Sequence, residues 1–239
     1  MAIKKGDIVY IDYIGYIVET NEMFDTTIEN EAKKAGIFRS DHRYEPVVVA
    51  IGEKWVIEGI EESLIGKEEG QEYEIQVPPE KGYGERDPKK IKIITEKRLR
   101  DMNVRGEIAP GNVIIVNGTP AIVRVVSGGR VLLDFNPPLA GKTLRYKIFV
   151  RKICKSVKEK IEALISRHSK DFLELSKIKF SEKTKVVEIK LNSSTLDKPA
   201  LHVVKRSIAS DILKLIDKVE KVRFIEEVVK ESVGSRQQG

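Results

Sequence analysis

The side chains that most often carry out covalent or metal chemistry are few in this sequence. It contains one cysteine, Cys154, and three histidines, His42, His168 and His202. These four residues show none of the short spacings that zinc sites use, and a single cysteine cannot form an internal disulfide. The sequence therefore predicts no metal ion, no cofactor and no disulfide framework.

Two polar side chains are better placed to contact a bound molecule. Tyr83 lies between Gly82 and Gly84, and flanking glycines let the backbone fold tightly and present the ring. Asp25 directly follows Phe24, and on its own it is typical of a solvated acid in a turn. The sequence thus offers a hydroxyl and a carboxylate for hydrogen bonding, without a nucleophile and base.

The segments that carry these residues show regular periodicity. Alternating or β-branched runs predict three strands, at Ile8–Ile17, Pro46–Ile51 and Glu72–Val77. Between the last two, residues 56–66 place Ile57, Ile60 and Leu64 on one helix face, and Gly66 can end that helix. A short amphipathic helix is therefore expected to pack across a β-sheet.

Five motifs, taken in order, resemble the FK506-binding (FKBP) peptidyl-prolyl cis-trans isomerases over roughly residues 3–153. The motifs are Tyr13, Phe24-Asp25, residues 56–61 with Leu64 and Gly66, Pro78-Pro79-Glu80 with Tyr83-Gly84, and residues 139–144 (LAGKTL). The last motif and the long segment inserted after Tyr83 are similar to the SlyD-type subgroup, whose flap carries a chaperone domain. The additional C-terminal segment resembles that of archaeal long-type members.

The resemblance implies an α+β fold, in which an FKBP antiparallel half-barrel wraps around a short helix. Helical and strand periods after residue 153 predict a C-terminal α+β domain (154–232), and the polar end of the sequence predicts a disordered tail (233–239). The resemblance divides the rest of the chain into an isomerase domain (1–84 and 134–153) and a small β domain inserted in the flap (85–133). It assigns catalytic roles to Asp25, as the one charge, and to Tyr83, whose hydroxyl would contact a substrate carbonyl. It also implies a substrate pocket formed by Tyr13, Phe24, Val47, Val56, Ile57, Ile60 and Tyr146.

These residue types suit isomerisation of a bond that precedes proline. Rotation about the amide breaks its resonance, at a barrier of roughly 18 to 20 kcal/mol, and no bond has to be cleaved. The planar amide carries more charge separation than the twisted one, so a dry apolar cavity disfavours the ground state relative to the transition state. A few polar groups suffice to orient the flanking carbonyls.

Two positions depart from the family pattern. Ile60 stands where the family often has a tryptophan at the pocket floor, and the one tryptophan of this chain is Trp55. Asn136-Pro137-Pro138 stands where SlyD-type proteins commonly have Asn-His, and the histidine-rich tail of the bacterial members is missing. We therefore expect weak macrolide binding, and the missing tail agrees with the absence of a metal site.

The inserted segment reads as a small β-meander. Three apolar runs, Val113–Val116, Ala121–Val126 and Val131–Phe135, are separated by turn residues at hairpin spacing. They exceed what a small sheet can bury, so we expect an exposed apolar surface that holds unfolded chains. An elongated hairpin with a basic outer face is the alternative. The strand predicted at Leu144–Ile153 has no local partner and should return to the first sheet.

In residues 156–232 the hydrophobic residues recur at spacings typical of helices in some segments and of strands in others. Val157, Ile161, Leu164 and Ile165 form one helix face, which Phe172–Ile178 can extend. A strand is predicted at Lys185–Leu191 and a long helix at Ala200–Ile216, with Val204, Ile208, Ile212 and Leu215 inward, whereas Val219–Val229 cannot be typed. Lysines alternate with acids here and aromatics are scarce, which favours a solvated surface over an RNA-binding face. The pattern favours a dimerisation or client-binding unit.

Composition and charge narrow the class of protein. The 239 residues carry a net charge of +6, and the three parts carry −7 (1–84 with 134–150), +5 (85–133) and +8 (151–239). With 41% hydrophobic residues, no long apolar run and no secretory signal, we expect a globular cytoplasmic protein without a membrane partner. The expected partners are unfolded or proline-containing polypeptides. Two alternatives stay open: a holdase without useful isomerase activity, and an adaptor that docks on RNA or ribosomes.

Overall fold

A computed structural model describes residues 2–192 and 200–227, and within these ranges the chain forms three β-sheets and three hydrophobic cores. The strands are β1 (Ile8–Ile17), β2 (Met23–Thr26), β3 (Val47–Ala50), β4 (Glu72–Val77), β5 (Ile91–Thr95), β6 (Val104–Arg105), β7 (Val113–Val116), β8 (Thr119–Ser127), β9 (Arg130–Asp134), β10 (Leu144–Ile153), β11 (Ser176–Ser181), β12 (Val186–Leu191) and β13 (Lys221–Glu226). The helices are α1 (Glu29–Lys34), α2 (Glu58–Leu64), α3 (Glu96–Arg100), α4 (Val157–His168), α5 (Lys170–Glu174) and α6 (Leu201–Leu215).

This mixture of helices and largely antiparallel sheets confirms the α+β class. No helix in the two described ranges is long and apolar enough to cross a membrane.

The first sheet is built around β1. Its order is β2-β1-β10-β4, and β3 also pairs with β1. β1 and β10 are antiparallel, from Val9 opposite Ile153 to Ile17 opposite Leu144. Because β10 follows the second sheet in the chain, the first sheet is completed only when the chain returns, which confirms the prediction for residues 144–153.

Helix α2 packs closely against the first sheet. Ile60 and Leu64 are buried, as the helical spacing predicted, although the helix is shorter at both ends than residues 56–66. A Cβ atom at Gly59 would lie 2.5 Å from Cγ1 of Val77, a separation that real Cβ atoms do not show. Glycine at this position therefore lets α2 approach β4 closely enough to share one core.

The second sheet has five strands, in the order β5-β9-β8-β7-β6. The predicted three-stranded meander is confirmed as β7, β8 and β9, and β5 and β6, which were not predicted, extend it at its two edges. Residues 87–103 form a stretch rich in lysine and arginine, in which no strand is predicted. Within it, however, Ile91–Thr95 pairs with β9 along its whole length. Helix α3 follows at once and buries Leu99 among residues of one sheet face, including Ile114 and Val123.

A buried carboxylate connects the two segments, residues 86–87 and 134–136, through which the chain passes between the first and second sheets. Oδ2 of Asp134 accepts hydrogen bonds from Nη2 of Arg86 (2.5 Å) and of Arg124 (2.8 Å), and its Oδ1 accepts the Asn136 side-chain amide at 2.8 Å. Asn136 also accepts from the Asp87 backbone N–H at 2.9 Å. Burial raises the pKa of Asp134, but the hydrogen bonds from Asn136 and Arg124 and the charge of Arg86 outweigh it and hold this pKa at about 2.

The third sheet combines an antiparallel pair, β11 with β12, and a parallel pair, β12 with β13. The predicted helical extension through Phe172–Ile178 was wrong, because α5 ends at Glu174 and Ile178 lies in β11. The stretch that could not be typed, Val219–Val229, contains β13. The predicted disordered tail, 233–239, lies outside the described residues.

The third sheet and its helices share a core with the first sheet. Ile8, Val48 and Ala50 belong to the same buried cluster as α4 and α6 residues. The guanidinium of Arg167 in α4 lies 3.7 Å from the centroid of the Trp55 ring, a cation–π contact across the junction. The C-terminal segment is therefore packed onto the sheet that carries β1.

We expect Asp134→Asn to destabilise the protein at neutral pH by about 1 to 3 kcal/mol, because two arginines lose a buried anionic partner. The folded-state pKa of Asp134 lies below the ordinary value of 3.8, so its stabilisation is present above about pH 4 and is lost as the pH falls toward 2. Denaturant unfolding at pH 7 and near pH 2 measures both effects. Asp101→Asn, an exposed acid in the same segment, is the control. Equal losses at both pH values would contradict the prediction.

Candidate active site

The predicted catalytic acid is held in a fixed orientation between two neighbouring strands. Asp25 lies in β2 and Tyr13 in β1, and the Tyr13 hydroxyl donates to Oδ2 of Asp25 at 2.7 Å. Oδ1 of Asp25 accepts the backbone N–H of Thr26 at 2.9 Å. Because both oxygens have a donor, the charge of Asp25 is fixed at one place on the sheet.

Three aromatic rings form the interior of the site. The buried Tyr146 ring, on β10, meets Tyr13 edge to face at 5.8 Å and Phe24 at 5.7 Å between ring centroids. Gly15, opposite Tyr146 in the sheet, leaves the space in which these rings sit. A Cβ there would lie 2.8 Å from Cζ of Phe24 and 3.0 Å from Cε1 of Tyr146. Sequence reasoning missed Gly15, which interrupts the apolar alternation of β1.

Tyr13 and Tyr146 both stay protonated at neutral pH. Burial raises the pKa of Tyr13, and its hydrogen bond to the Asp25 carboxylate raises it further. Burial also raises the pKa of Tyr146, with smaller contributions from the neighbouring Tyr83 and Tyr13 hydroxyls. These hydroxyls can therefore donate hydrogen bonds but cannot act as bases.

The structure brings all seven predicted pocket residues into one hydrophobic cluster. Ile60 and Tyr146 are its buried members, and the others are partly exposed at its edge: Tyr13, Phe24, Val47, Val56 and Ile57. Ile57 immediately precedes α2 in an extended conformation, and the helix then carries Ile60 into the core. The strands supply the walls of the cluster and α2 supplies its floor.

A cavity of about 370 Å³ opens beside this cluster. It is lined by Phe24, Asp25, Thr26, Ile37, Arg39, His42, Tyr44 and Tyr83. Tyr83 is 42% exposed, so its ring stands at the rim with room for a ligand. The two predicted catalytic residues thus face the same cavity, and Phe24 connects it to the aromatic interior.

The segment from Ile37 to Tyr44 was missed by sequence reasoning. Phe38 stacks on Tyr44 at 5.5 Å, His42 meets the Tyr44 ring at 4.8 Å, and the Tyr44 hydroxyl accepts the Arg39 backbone N–H at 2.9 Å. These contacts hold together an irregular loop whose sequence shows no hydrophobic periodicity. The available signal was the density of aromatic and histidine residues in seven consecutive positions, 38–44.

Within the two described ranges, no group of three or more histidine, cysteine, aspartate or glutamate residues is arranged to hold a metal ion. Cys154 is buried away from the cavity, and burial raises the pKa of its thiol to about 11. The residues that line the cavity offer hydrogen bonds, charge and apolar contact.

The chain is similar to known proteins of one enzyme family. The FKBP-type peptidyl-prolyl cis-trans isomerase family model matches residues 1–100, and an FKBP26 C-terminal family model matches residues 157–229. The chain is 41% identical over 151 residues to the short-type peptidyl-prolyl cis-trans isomerase of Methanocaldococcus jannaschii, covering 63% of this chain and 94% of that one. It is 33% identical over 129 residues to SlyD of Treponema pallidum, covering 49% and 68%.

The chain belongs to the FKBP-type peptidyl-prolyl cis-trans isomerases and is similar to SlyD. It is an isomerase, and its reaction involves no covalent intermediate because only a rotation is catalysed.

We expect Gly15→Ala to lower kcat/KM for a proline-containing peptide by roughly tenfold to a hundredfold, because the added methyl group displaces the Phe24 and Tyr146 rings. A coupled or NMR-based isomerisation assay measures the rate, and far-UV circular dichroism tests whether the fold is kept. Val18→Ala, at an exposed position just beyond β1, is the matched control. An unchanged rate for a folded Gly15→Ala protein would show that the rings need not stay where the structure places them.

Proposed function

We propose that this isomerase acts on X-Pro bonds of folding polypeptides in the pocket described above and holds unfolded clients on its second sheet. The pocket supports the first part, since it combines an apolar interior with one fixed carboxylate and one accessible hydroxyl. The exposed face of the second sheet carries the second part.

In the pocket, the apolar rings of Phe24, Tyr13 and Tyr146 would surround the prolyl ring. The twisted amide is less polar than the planar amide, so a site that excludes water stabilises it relative to the ground state. Tyr83, at the rim, would donate its hydroxyl to a carbonyl of the substrate and fix the chain on one side of the rotating bond. Asp25 would supply a fixed negative charge that faces the substrate.

We expect Tyr83→Phe and Asp25→Ala each to reduce the catalysed rate by about tenfold or more in a proline-limited refolding assay, because each removes one orienting polar group. Catalytic amounts of the unmodified protein should accelerate the slow phase. Tyr73→Phe is the matched control, because Tyr73 bonds Ser63 outside the cavity. If acceleration needs stoichiometric protein and neither substitution matters, the site assignment fails and the holdase alternative is favoured.

The second sheet has one open face that is apolar. Ile93, Val113, Val125 and Ile115 are 68%, 60%, 49% and 40% exposed, respectively. None of them belongs to the buried cluster that α3 covers on the other face. Soluble proteins seldom leave apolar side chains of this size gathered on one surface unless the surface binds something.

Strand register places these residues side by side. Leu132 pairs with Ile93 on one side and with Val125 on the other, so three strands contribute to one row. Val113 pairs with Ile122 in the adjacent strand. Because directly paired residues project to the same face of a sheet, the exposed residues form a continuous apolar surface across β5, β9, β8 and β7. An unfolded segment can bury its own apolar side chains against this surface.

We expect the double substitution Ile93→Ser/Val125→Ser to abolish most suppression of aggregation of a heat-unfolded client, since it replaces the centre of the apolar surface with hydroxyls. Isomerisation of a short peptide should stay within about twofold of the original rate, because the pocket is untouched. Light scattering of the client measures the first effect. Lys97→Ser/Arg98→Ser, on α3 over the opposite face, is the control. If both double variants suppress aggregation equally well, clients bind elsewhere.

A further inference from the structure

A basic groove follows the junction between the first sheet and the C-terminal segment. Two cavities, of about 550 and 450 Å³, share Lys155, Val157 and Lys218 in their linings and are therefore continuous. Together they are lined by seven lysines, which come from the N-terminus, from α4 and the residues before it, and from the end of α6 and beyond: Lys4, Lys5, Lys155, Lys158, Lys160, Lys214 and Lys218. We call this surface the lysine groove.

The positive charge of the lysine groove is poorly compensated. Four acids line it, Asp7, Glu53, Glu182 and Asp217, so the lining residues carry a net charge of +3. Two of the lysines, Lys155 and Lys158, also pair with Glu69 and Glu162 outside the lining. Asp7 is buried and accepts the backbone N–H of Lys4, and Glu53 is paired with Lys214. Two of the four acids in the groove therefore already have partners within the protein.

Four of the lysines have no ionic partner anywhere in residues 2–192 and 200–227: Lys4, Lys5, Lys160 and Lys218. Elsewhere on the surface, many lysines are paired, as with Lys152 and Glu159 at 2.8 Å or Lys81 and Glu62 at 2.6 Å. Unpaired like charges that line one concave surface repel one another and raise the local positive potential. A polyanionic ligand relieves that repulsion when it binds.

The walls between the lysines are apolar. Val157 and Leu215 line the first cavity, and Ile178 and Phe180 line the second, all of them partly buried. A ligand that alternates carboxylates with apolar side chains can satisfy both kinds of surface. A nucleic acid would need aromatic rings on which to stack its bases, and Phe180 is the one aromatic residue lining the groove in the described ranges.

We propose that the lysine groove binds an extended acidic segment of a polypeptide partner, one in which glutamate or aspartate alternates with aliphatic residues. Lysine side chains are flexible point charges, so they accept carboxylates at variable spacing and do not demand one sequence. The site is separate from the isomerase cavity and from the apolar face of the second sheet, and it adds an electrostatic mode of binding to those two.

The test uses the full chain and a fluorescein-labelled, proline-free peptide in which glutamate alternates with valine. Fluorescence anisotropy should show saturable binding that weakens as salt is raised. The triple variant Lys4→Glu/Lys160→Glu/Lys218→Glu should weaken binding by about tenfold or more, since three favourable contacts become repulsive. The rate of short-peptide isomerisation should be the same in both proteins, which separates this proposal from the isomerase site.

The matched control is Lys177→Glu/Lys179→Glu/Lys221→Glu, which makes the same change in net charge at exposed positions of the third sheet. It should bind the peptide as the original protein does. Equal losses in both triple variants would mean that only net charge matters and would overturn the proposal. A labelled oligouridylate that binds more tightly than the peptide, with that binding lost only in the groove variant, would also overturn it in favour of RNA.

Discussion

The arrangement of this protein depends on one strand, β1, that is buried on both faces. Val9 and Ile11 point into the core that contains the isomerase pocket, whereas Ile8 points into the core that contains α4 and α6. Tyr10 lies beside that second core, and its hydroxyl is 3.2 Å from Oγ of Ser166 in α4. A strand that is buried in this way cannot shift by one residue without reversing every side chain between the two cores. The positions of the pocket and of the C-terminal segment are therefore set by the same backbone.

Polar side chains on and beside β1 fix the position of the Asp25 carboxylate. Asp12 is buried and accepts the Thr27 hydroxyl and the Nε of Arg151, each at 2.6 Å. The Thr26 hydroxyl in turn donates to the backbone carbonyl of Tyr13 at 2.8 Å. These side-chain hydrogen bonds attach the end of β2 to β1 in addition to the few backbone hydrogen bonds between the two short paired segments. They also provide partners for polar groups whose burial without a hydrogen bond would be costly. The orientation of Asp25 follows from this attachment.

Much of the first sheet could be predicted from the sequence, because its strands alternate clearly. β1, β4 and β10 were found with their observed bounds, and the helical spacing of Ile60 and Leu64 was enough to place α2. The family resemblance supplied the pocket residues, and the structure gathers them in one cluster, although their roles stay predictions.

The features that were missed have physical reasons. β5 was missed because its isoleucines stand among lysines, so the segment reads as polar until β9 is seen to pair with it. β11 was missed because the short α5 precedes it and prolongs a helical pattern. Gly15 adds no side chain to the hydrophobic pattern of β1, and the loop of residues 37–44 shows no hydrophobic periodicity. Their importance comes from contacts between residues distant in sequence, and local pattern does not report such contacts.

The way the second sheet is attached to the first bears on the proposal that clients bind its apolar face. A cavity of about 370 Å³ can enclose a prolyl ring and its neighbours but little more, so affinity for a long client must come largely from another surface. The two chain crossings to the second sheet are joined by the Asp134 network, and the Gly141 backbone N–H donates to the Gly84 carbonyl beside them at 2.9 Å. The link is thus short and multiply bonded rather than a long flexible tether. For a client held on the apolar face as proposed, the effective concentration of its X-Pro bonds at the pocket would then depend on the client's own chain length, and prolines at a suitable distance from the bound segment would be isomerised preferentially.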